Sequence, residues 1–424
     1  MSTLDLFQQI YLQTFTINLG DAIVGPEIVL QKAMNVAVKA MVNDSLGKYG
    51  WQVTWGPRVW KSPSAETLTG PNNSWMVLKA SDVVYPDGTK FDTYVVAIAG
   101  TAVFSKEAWK DEDFGVNSVV DFNAYTSTFK SGSIKKPVGV QNPPDNVPYG
   151  AWGTTLGAWA IVTNESPAGN PGAGTTILDY LANLQKDPGE FRVIFTGHSL
   201  GGALSPYLSM AAKSNNLVPE VANPIDDIIT LPAAGATPGE KLFYDNYTNL
   251  FKVNGPGGYK VWNADFFNTL DIVPQAWSTD DTQDRFLDKI VDIYGPLEGN
   301  FLAQVQGYVD KAKDRADASG LVYIPIKGNP FTGAPPSSPP TNIVSFLAEA
   351  AVQHTYAYYH QVKVGPEMAE LYKTVVGAPG VQKKTARQMA KGIPVLCHAK
   401  PEELGKKADQ THPYDCILLG KRVA

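Results

Sequence analysis

The sequence predicts an α/β fold: a mostly parallel central sheet flanked by helices, with helical insertions serving as cap or lid. Three observations carry this. From residue 175 onward, helical periodicities alternate with short β-branched and aromatic runs. The later strand candidates are spaced too widely for tight hairpins, which favours crossovers and parallel pairing. Finally, 424 residues with 44% apolar and 18% charged content can bury a core that offsets chain entropy.

Residues 26–46 are expected to form an amphipathic helix. Pro26 stands at its start, Ile28, Val29, Met34, Val38, Met41 and Val42 recur near helical spacing, and Gly47 follows its end. Between 51 and 100 the period shortens, and WQVTW, SWMVL and TYVVAIAG are separated by GPNN and PDGT, as strands joined by turns would be. Residues 102–150 are polar and turn-rich. A helix over 175–186 places Ile177, Tyr180, Leu181 and Leu184 on one face and is stopped by Asp187, Pro188 and Gly189. FRVIFTG (191–197) follows as a strand, then a helix carrying Leu204, Tyr207, Leu208 and Ala211. DDIITLP (226–232), YKVWNADF (259–266) and LVYIPI (321–326) are the remaining strand candidates. Residues 281–316 read as two helices broken at Tyr294, Gly295 and Pro296, and the Pro/Ser segment 328–340 as a loop.

Several function classes are excluded at this level. With 35 basic and 41 acidic residues the chain carries −6, so a nucleic-acid partner is not expected. No run approaches the roughly 18 apolar residues that cross a bilayer, so the chain reads as soluble. Its opening residues lack the cationic start and continuous apolar core of a signal peptide, which leaves the compartment open: cytoplasmic, or secreted with a leader removed. Cys397 and Cys416 are the two cysteines, too few for a disulfide scaffold or a four-cysteine zinc site; one bridge or two buried thiols both remain open. STDDTQD lacks the glycine and distal glutamate of a calcium loop, and neither metal nor cofactor is expected.

The residues that carry chemistry begin with GHSLGG, a G-x-S-x-G pentapeptide centred on Ser199. A β-run ends just before it and a helical pattern starts just after, the setting of a nucleophile elbow. On so tight a turn the positions two away from the serine must lack side chains so that strand and helix can approach, and Gly197 and Gly201 meet that need. The helix start then directs backbone N–H groups at the developing oxyanion. His198 adjoins the serine, and because adjacent side chains diverge on a sharp turn it is expected to be a structural neighbour. Pro206 should kink the following helix locally.

FRVIFTGHSLGGALS resembles the nucleophile segment of the class 3 lipases, the fungal-type triacylglycerol lipase family of α/β-hydrolases, and two further motifs stand in the family's order. TYVVAIAGTAVFSKEAWKDED is similar to the oxyanion strand and loop, which implies Thr101 as the first oxyanion donor and the backbone N–H of Leu200 as the second. NTLDIVPQAW is similar to the N-x-x-D-x-V-P pattern that carries the acid, which nominates Asp271 over Asp265 and the pair Asp280 and Asp281. The resemblance spans roughly 75–360. The chain departs from the family in having Ala99 where Arg often stands, in a longer region after the oxyanion loop, and in an apparent insertion over 278–341.

A serine hydroxyl requires a base, and the chain has five histidines. His398 and His412 lie in the tail. His354 is preferred over His360, as a histidine at the start of a helix after the last strand and the Pro-rich loop; it resembles the family's base and completes the order Ser, Asp, His. The expected domains are a catalytic unit over 1–360, with lid candidates at 102–150 and 278–341, and a basic extension over 361–424 packed on it. The resulting expectation is a serine carboxylester hydrolase acting on acylglycerols. The alternatives are a phospholipase A1, a feruloyl-type or short-chain carboxylesterase, or a non-catalytic hydrolase-like binding module. Its partners would be an ester substrate and, transiently, a lipid interface; the oligomeric state is unknown.

Overall fold

The computed structural model describes residues 3–99, 115–184, 191–219 and 227–383. Seven strands cross one sheet in chain order: β1 (Gln52–Trp60), β2 (Asn73–Val84), β3 (Lys90–Ala99), β4 (Phe191–His198), β5 (Ile228–Ala233), β6 (Asp265–Asn268) and β7 (Gly328–Phe331). β1, β2 and β3 pair antiparallel, and β3 through β7 pair parallel. β4 is buried along its whole length, which is why FRVIFTG reads as a continuous apolar run rather than an alternating one. Period two survives in where the side chains go: Val95, Ala97, Ala99 and Ile194 face one core layer, and Val96, Ile98, Val193 and Phe195 the other.

The first layer is built by α1 (Leu6–Ile17) and α2 (Glu27–Met41) with C-terminal helices; the second by α3 (Trp152–Thr163), α4 (Leu200–Ser214) and α5 (Lys241–Leu250). Neither α1 nor α3 is expected from the sequence pattern. α1 is buried at every position from Leu6 to Ile17 except the half-buried Gln9, so it has no polar face to produce a helical period. α2 lies where expected and buries Leu30, Met34, Val38 and Met41, but Ile28 points outward, 65% exposed. The helix expected over 175–186 is shorter, Ile177–Ala182, started by a reciprocal cap between Thr176 and Asp179; its expected stop lies outside the described residues. α4 runs unbroken through Pro206.

Three expectations are corrected. YKVWNADF does not form one strand: Asn263 takes a left-handed conformation (φ 64°) and divides it, so that Lys260–Trp262 folds back on Asn254–Gly257 and β6 alone joins the sheet. LVYIPI is not a strand; Tyr323 makes an isolated bridge to Glu240, and the edge strand is β7, inside the segment expected to be a loop. β7 tolerates Pro330 because it pairs on one side only. Lastly, the first helix expected over 281–316 shrinks to the turn Lys289–Asp292, while the second is α6 (Gly299–Asp317), after a break at Gly295 (φ 98°).

α6 buries Val305, Val309, Ala312 and Ala316 along one stripe. Val309, Ala312 and Ala316 pack with Val116, Tyr149 and Trp277, and Val305 packs with Tyr294, Phe346 and Ala350 beside Leu270 and Ile272. The chain then enters α7 (Ile343–His354), α8 (Tyr356–Val362) and α9 (Gly365–Val376); α9 buries Met368, Leu371 and Val375 in the first core layer. Cys397, Cys416, His398 and His412 lie outside the described residues. Among those described, no helix is long and apolar enough to cross a membrane.

Candidate active site

β4 delivers its chain to Ser199, where the backbone turns through φ 63° and ψ −130° before α4 begins at Leu200. A non-glycine residue rarely holds such angles, and the surroundings impose them here. The Ser199 N–H donates to Ala233 on β5 at 3.2 Å, and the Ser199 carbonyl accepts from Gly202 at 2.8 Å. A Cβ on Gly197 would collide with the carbonyl of Gly201, and one on Gly201 with the carbonyl of Ile98 on β3. Both glycines are therefore sterically required, and Gly202, pressed on the carbonyl of Ala233, is a third. The first backbone N–H groups of α4, that of Leu200 among them, have no acceptor within their own helix by geometry. Thr101 lies outside the described residues.

α1 supports the elbow from below. The Thr14 and Thr196 hydroxyls meet at 2.7 Å, and the Asn18 amide approaches Nδ1 of His198 at 3.4 Å. Phe15 and Tyr358 both set ring edges against His198, at 5.7 and 5.1 Å between centroids. Burial, reinforced by the neighbouring His354, holds the His198 pKa well below the usual 6.5, so its ring stays neutral in the fold. The unfolded chain then binds a proton that the folded chain refuses. Stability attributable to His198 is present above pH 6.5 and lost as the pH falls below it, by up to about 1.4 kcal/mol per pH unit. Urea midpoints at pH 7.5 and 5.5 should therefore converge in His198→Phe relative to the parent, and equal slopes would rule this out.

The acid follows β6. Asp271 is fully buried, and three donors hold its carboxylate: His354 Nδ1 and the Tyr358 hydroxyl at Oδ2, each at 2.8 Å, and the Val273 N–H at Oδ1, 3.0 Å. An ionised carboxylate only accepts, so Nδ1 of His354 carries the proton and Nε2 is left with its lone pair. Asn268 explains the first letter of the N-x-x-D pattern. Its carbonyl accepts from Asp271 at 2.9 Å, its Oδ1 from Leu270 and Gly333, and its Nδ2 donates to Gln353 beside the histidine.

His354 is the last residue of α7, not near the start of a helix as expected. The helix breaks at Thr355 (φ −127°, ψ −70°) and resumes as α8, which places Tyr358 under the same carboxylate. Nε2 of His354 and Oγ of Ser199 are both buried and hydrogen-bond to nothing among the described residues. They occupy one corner: the His354 ring lies 4.6 Å from that of His198, the residue before the serine. The remaining candidates lie elsewhere. His360 is exposed. Asp265 is buried against Arg285 at 2.5 Å and also accepts from Gly235; burial pushes its carboxyl up to about 6 against the pull of the guanidinium. Asp280 accepts from Thr282 and Gln283, and Asp281 is exposed.

Tyr358 was not anticipated from the sequence. Its hydroxyl donates to Asp271 and accepts from the Asn268 N–H at 3.0 Å, so it ties the acid to the strand end. Tyr358→Phe is expected to lower turnover by roughly 10- to 100-fold, the worth of one bond to a charged group, with KM little changed. A stability loss without a change in turnover would assign the hydroxyl to the fold alone.

Among the described residues no group of three or more His, Cys, Asp or Glu side chains is arranged to hold a metal ion. Residues 150–280 match the family model of the class 3 lipases, a span that includes Ser199 and Asp271 but neither Thr101 nor His354. Of solved structures, the M37 lipase is 22% identical, with a TM-score of 0.63 over 88% of this chain and 98% of that one, which shows the shared fold. The nonglycosylated LIP2 lipase of Yarrowia lipolytica is 15% identical, with a TM-score of 0.36 over 63% of this chain and 73% of that one. The mono- and diacylglycerol lipase of Aspergillus oryzae is 15% identical, with a TM-score of 0.33 over 65% and 75%. No curated protein matches the sequence.

Proposed function

We infer that this chain, a member of the class 3 lipase family through residues 150–280, is a serine carboxylester hydrolase that works through Ser199, His354 and Asp271. The observation that carries the assignment is a strained serine beside whose neighbour His198 lies an imidazole with its Nδ1 fixed on a buried carboxylate and its Nε2 without a hydrogen bond among the described residues. In the proposed cycle Nε2 takes the Ser199 proton as Oγ attacks the ester carbonyl, and Asp271 holds and stabilises the resulting imidazolium. The backbone N–H of Leu200 at the start of α4 and a group from Thr101 stabilise the oxyanion. The imidazolium protonates the departing alcohol, and a water activated by the same nitrogen releases the acid.

Acylglycerols are the proposed substrate. Ser199 is 1% exposed and His354 5%, so an ester reaches them only when a cover moves. Two stretches flank the catalytic residues. The inserted α6 packs with α7 and with Leu270 and Ile272 on either side of Asp271, and the paired strands Val119–Asp121 and Tyr149–Ala151 meet the chain just after β5. Labelling with a fluorophosphonate should modify Ser199 and abolish hydrolysis together. A series of p-nitrophenyl esters of rising chain length, with and without an emulsion, should favour long chains and rise sharply at the interface. Rates that fall with chain length and ignore the interface would replace the lipase with a short-chain esterase.

A further inference from the structure

Outside the catalytic corner lies a groove of about 730 Å³, lined among the described residues by side chains between 120 and 149. Its wall is apolar: Val120, Tyr125, Val138, Val140, Pro144 and Tyr149. Val138 is 81% exposed and Val140 46%, the kind of uncovered aliphatic surface that marks a binding face. Lys135 and Lys136 stand at the same groove, exposed, with no carboxylate partner among the described residues; Lys136 lies 5.9 Å from the ring of Trp159. The acid that lines it, Asp121, is occupied in capping the helix Phe122–Ser127 by accepting from Ala124 at 2.9 Å.

The groove is preformed. The arm that makes its outer wall is pinned by Val140 and Val119, which exchange two backbone hydrogen bonds at 2.9 Å. Trp152 Nε1 donates to the Pro137 carbonyl at 3.1 Å, the Tyr125 hydroxyl to the Lys135 carbonyl at 3.0 Å, and the Asn142 N–H to Ser319 at 2.8 Å. Its size falls within the roughly 300–1,000 Å³ of small-molecule sites. A chain that carries −6 overall places two cations with no carboxylate partner among the described residues beside an apolar trough here, and a ligand with one apolar body and one anionic head answers both features.

We propose that this groove binds a single-chain anionic amphiphile, a long-chain carboxylate, with its tail along Val138, Val140 and Tyr149 and its head held by Lys135 and Lys136. Such a carboxylate is what the proposed hydrolysis releases. The site rests on that reaction only for the origin of its ligand, and it is separate from the serine.

The test uses dansyl-labelled undecanoate below its micellar concentration. Saturable binding to Ser199→Ala and to phosphonate-blocked parent is expected, weakened roughly tenfold in Lys135→Glu/Lys136→Glu and restored in Lys135→Arg/Lys136→Arg. Val138→Asp should weaken it as well, and the methyl ester of the probe should bind more weakly than the free carboxylate. Loss of binding on phosphonate labelling would place the probe in the catalytic cleft, and unchanged binding in the glutamate variant would remove the lysines; either overturns the proposal. Hydrolysis of p-nitrophenyl acetate by the lysine variants should equal that of the parent. A parent that neither hydrolyses this ester nor takes up fluorophosphonate would defeat the hydrolase assignment while leaving groove binding measurable.

Discussion

Ser199→Ala is expected to lower turnover of a soluble p-nitrophenyl ester by on the order of 10⁴ to 10⁶ while leaving the fold at least as stable as the parent. The loss of rate is the loss of the nucleophile. Activity that remains is what oriented water gains from the oxyanion donors and from binding alone. The stability half is the more diagnostic. In the parent the Ser199 hydroxyl is buried without a hydrogen-bond partner among the described residues, an arrangement that costs roughly 1–3 kcal/mol. Alanine removes that atom and changes nothing that holds the turn, because the bonds to Ala233 and from Gly202 are made by the backbone. Ser199→Gly should rise further, since glycine also relieves the strain of φ 63°. Thermal midpoints in the order Gly, Ala, parent, with turnover absent from both variants, are the expected pattern. Parental turnover in Ser199→Ala would dismiss this serine, and a fall in both midpoints would show that the hydroxyl is structural.

Ser199 and Asp271 were legible because local geometry dictates their neighbours. A turn between β4 and α4 leaves no room for a Cβ at Gly197 or Gly201, so the pentapeptide is written by sterics. The asparagine three positions before Asp271 is written by the turn it clamps with its own side chain. What was not legible depends on partners remote in sequence. Tyr358 reaches Asp271 only because α7 breaks at Thr355, and nothing in HTYAYYH marks the break. α1 carries no periodicity because all of it but the half-buried Gln9 is covered, though its Thr14 and the Asn18 that follows it brace the strand end that carries the serine. The exchange of LVYIPI for GNPF at the sheet edge has a similar cause. The Ile326 carbonyl is taken by the Arg285 guanidinium, itself paired with Asp265, and pairing with β6 starts two residues later.

That buried pair also allows the two acids near β6 to be told apart by experiment. Asp271→Asn is expected to cost about 10⁴ in turnover, by analogy with the same change in other triads. Three donors converge on Asp271: His354 Nδ1, the Tyr358 hydroxyl and the Val273 N–H. A carboxylate accepts all three, whereas an amide offers one oxygen and places an NH₂ against the rest. The imidazole escapes the clash by moving its proton to Nε2, and a protonated Nε2 cannot take the proton of Ser199. The variant should fold, and it should label with fluorophosphonate far more slowly than the parent. Asp265→Asn has the opposite signature: it takes from Arg285 its buried counter-charge and leaves only the half-exposed Asp284 beside the guanidinium, a loss of up to about 3–5 kcal/mol, and takes nothing from the imidazole. Measured together, urea midpoints and turnover should separate cleanly, with Asp271→Asn stable and inert and Asp265→Asn active and fragile. If instead the second variant is inert at full stability and the first retains turnover, the acid of the site is Asp265, and the hydrogen bond between Asp271 and His354 serves the fold alone.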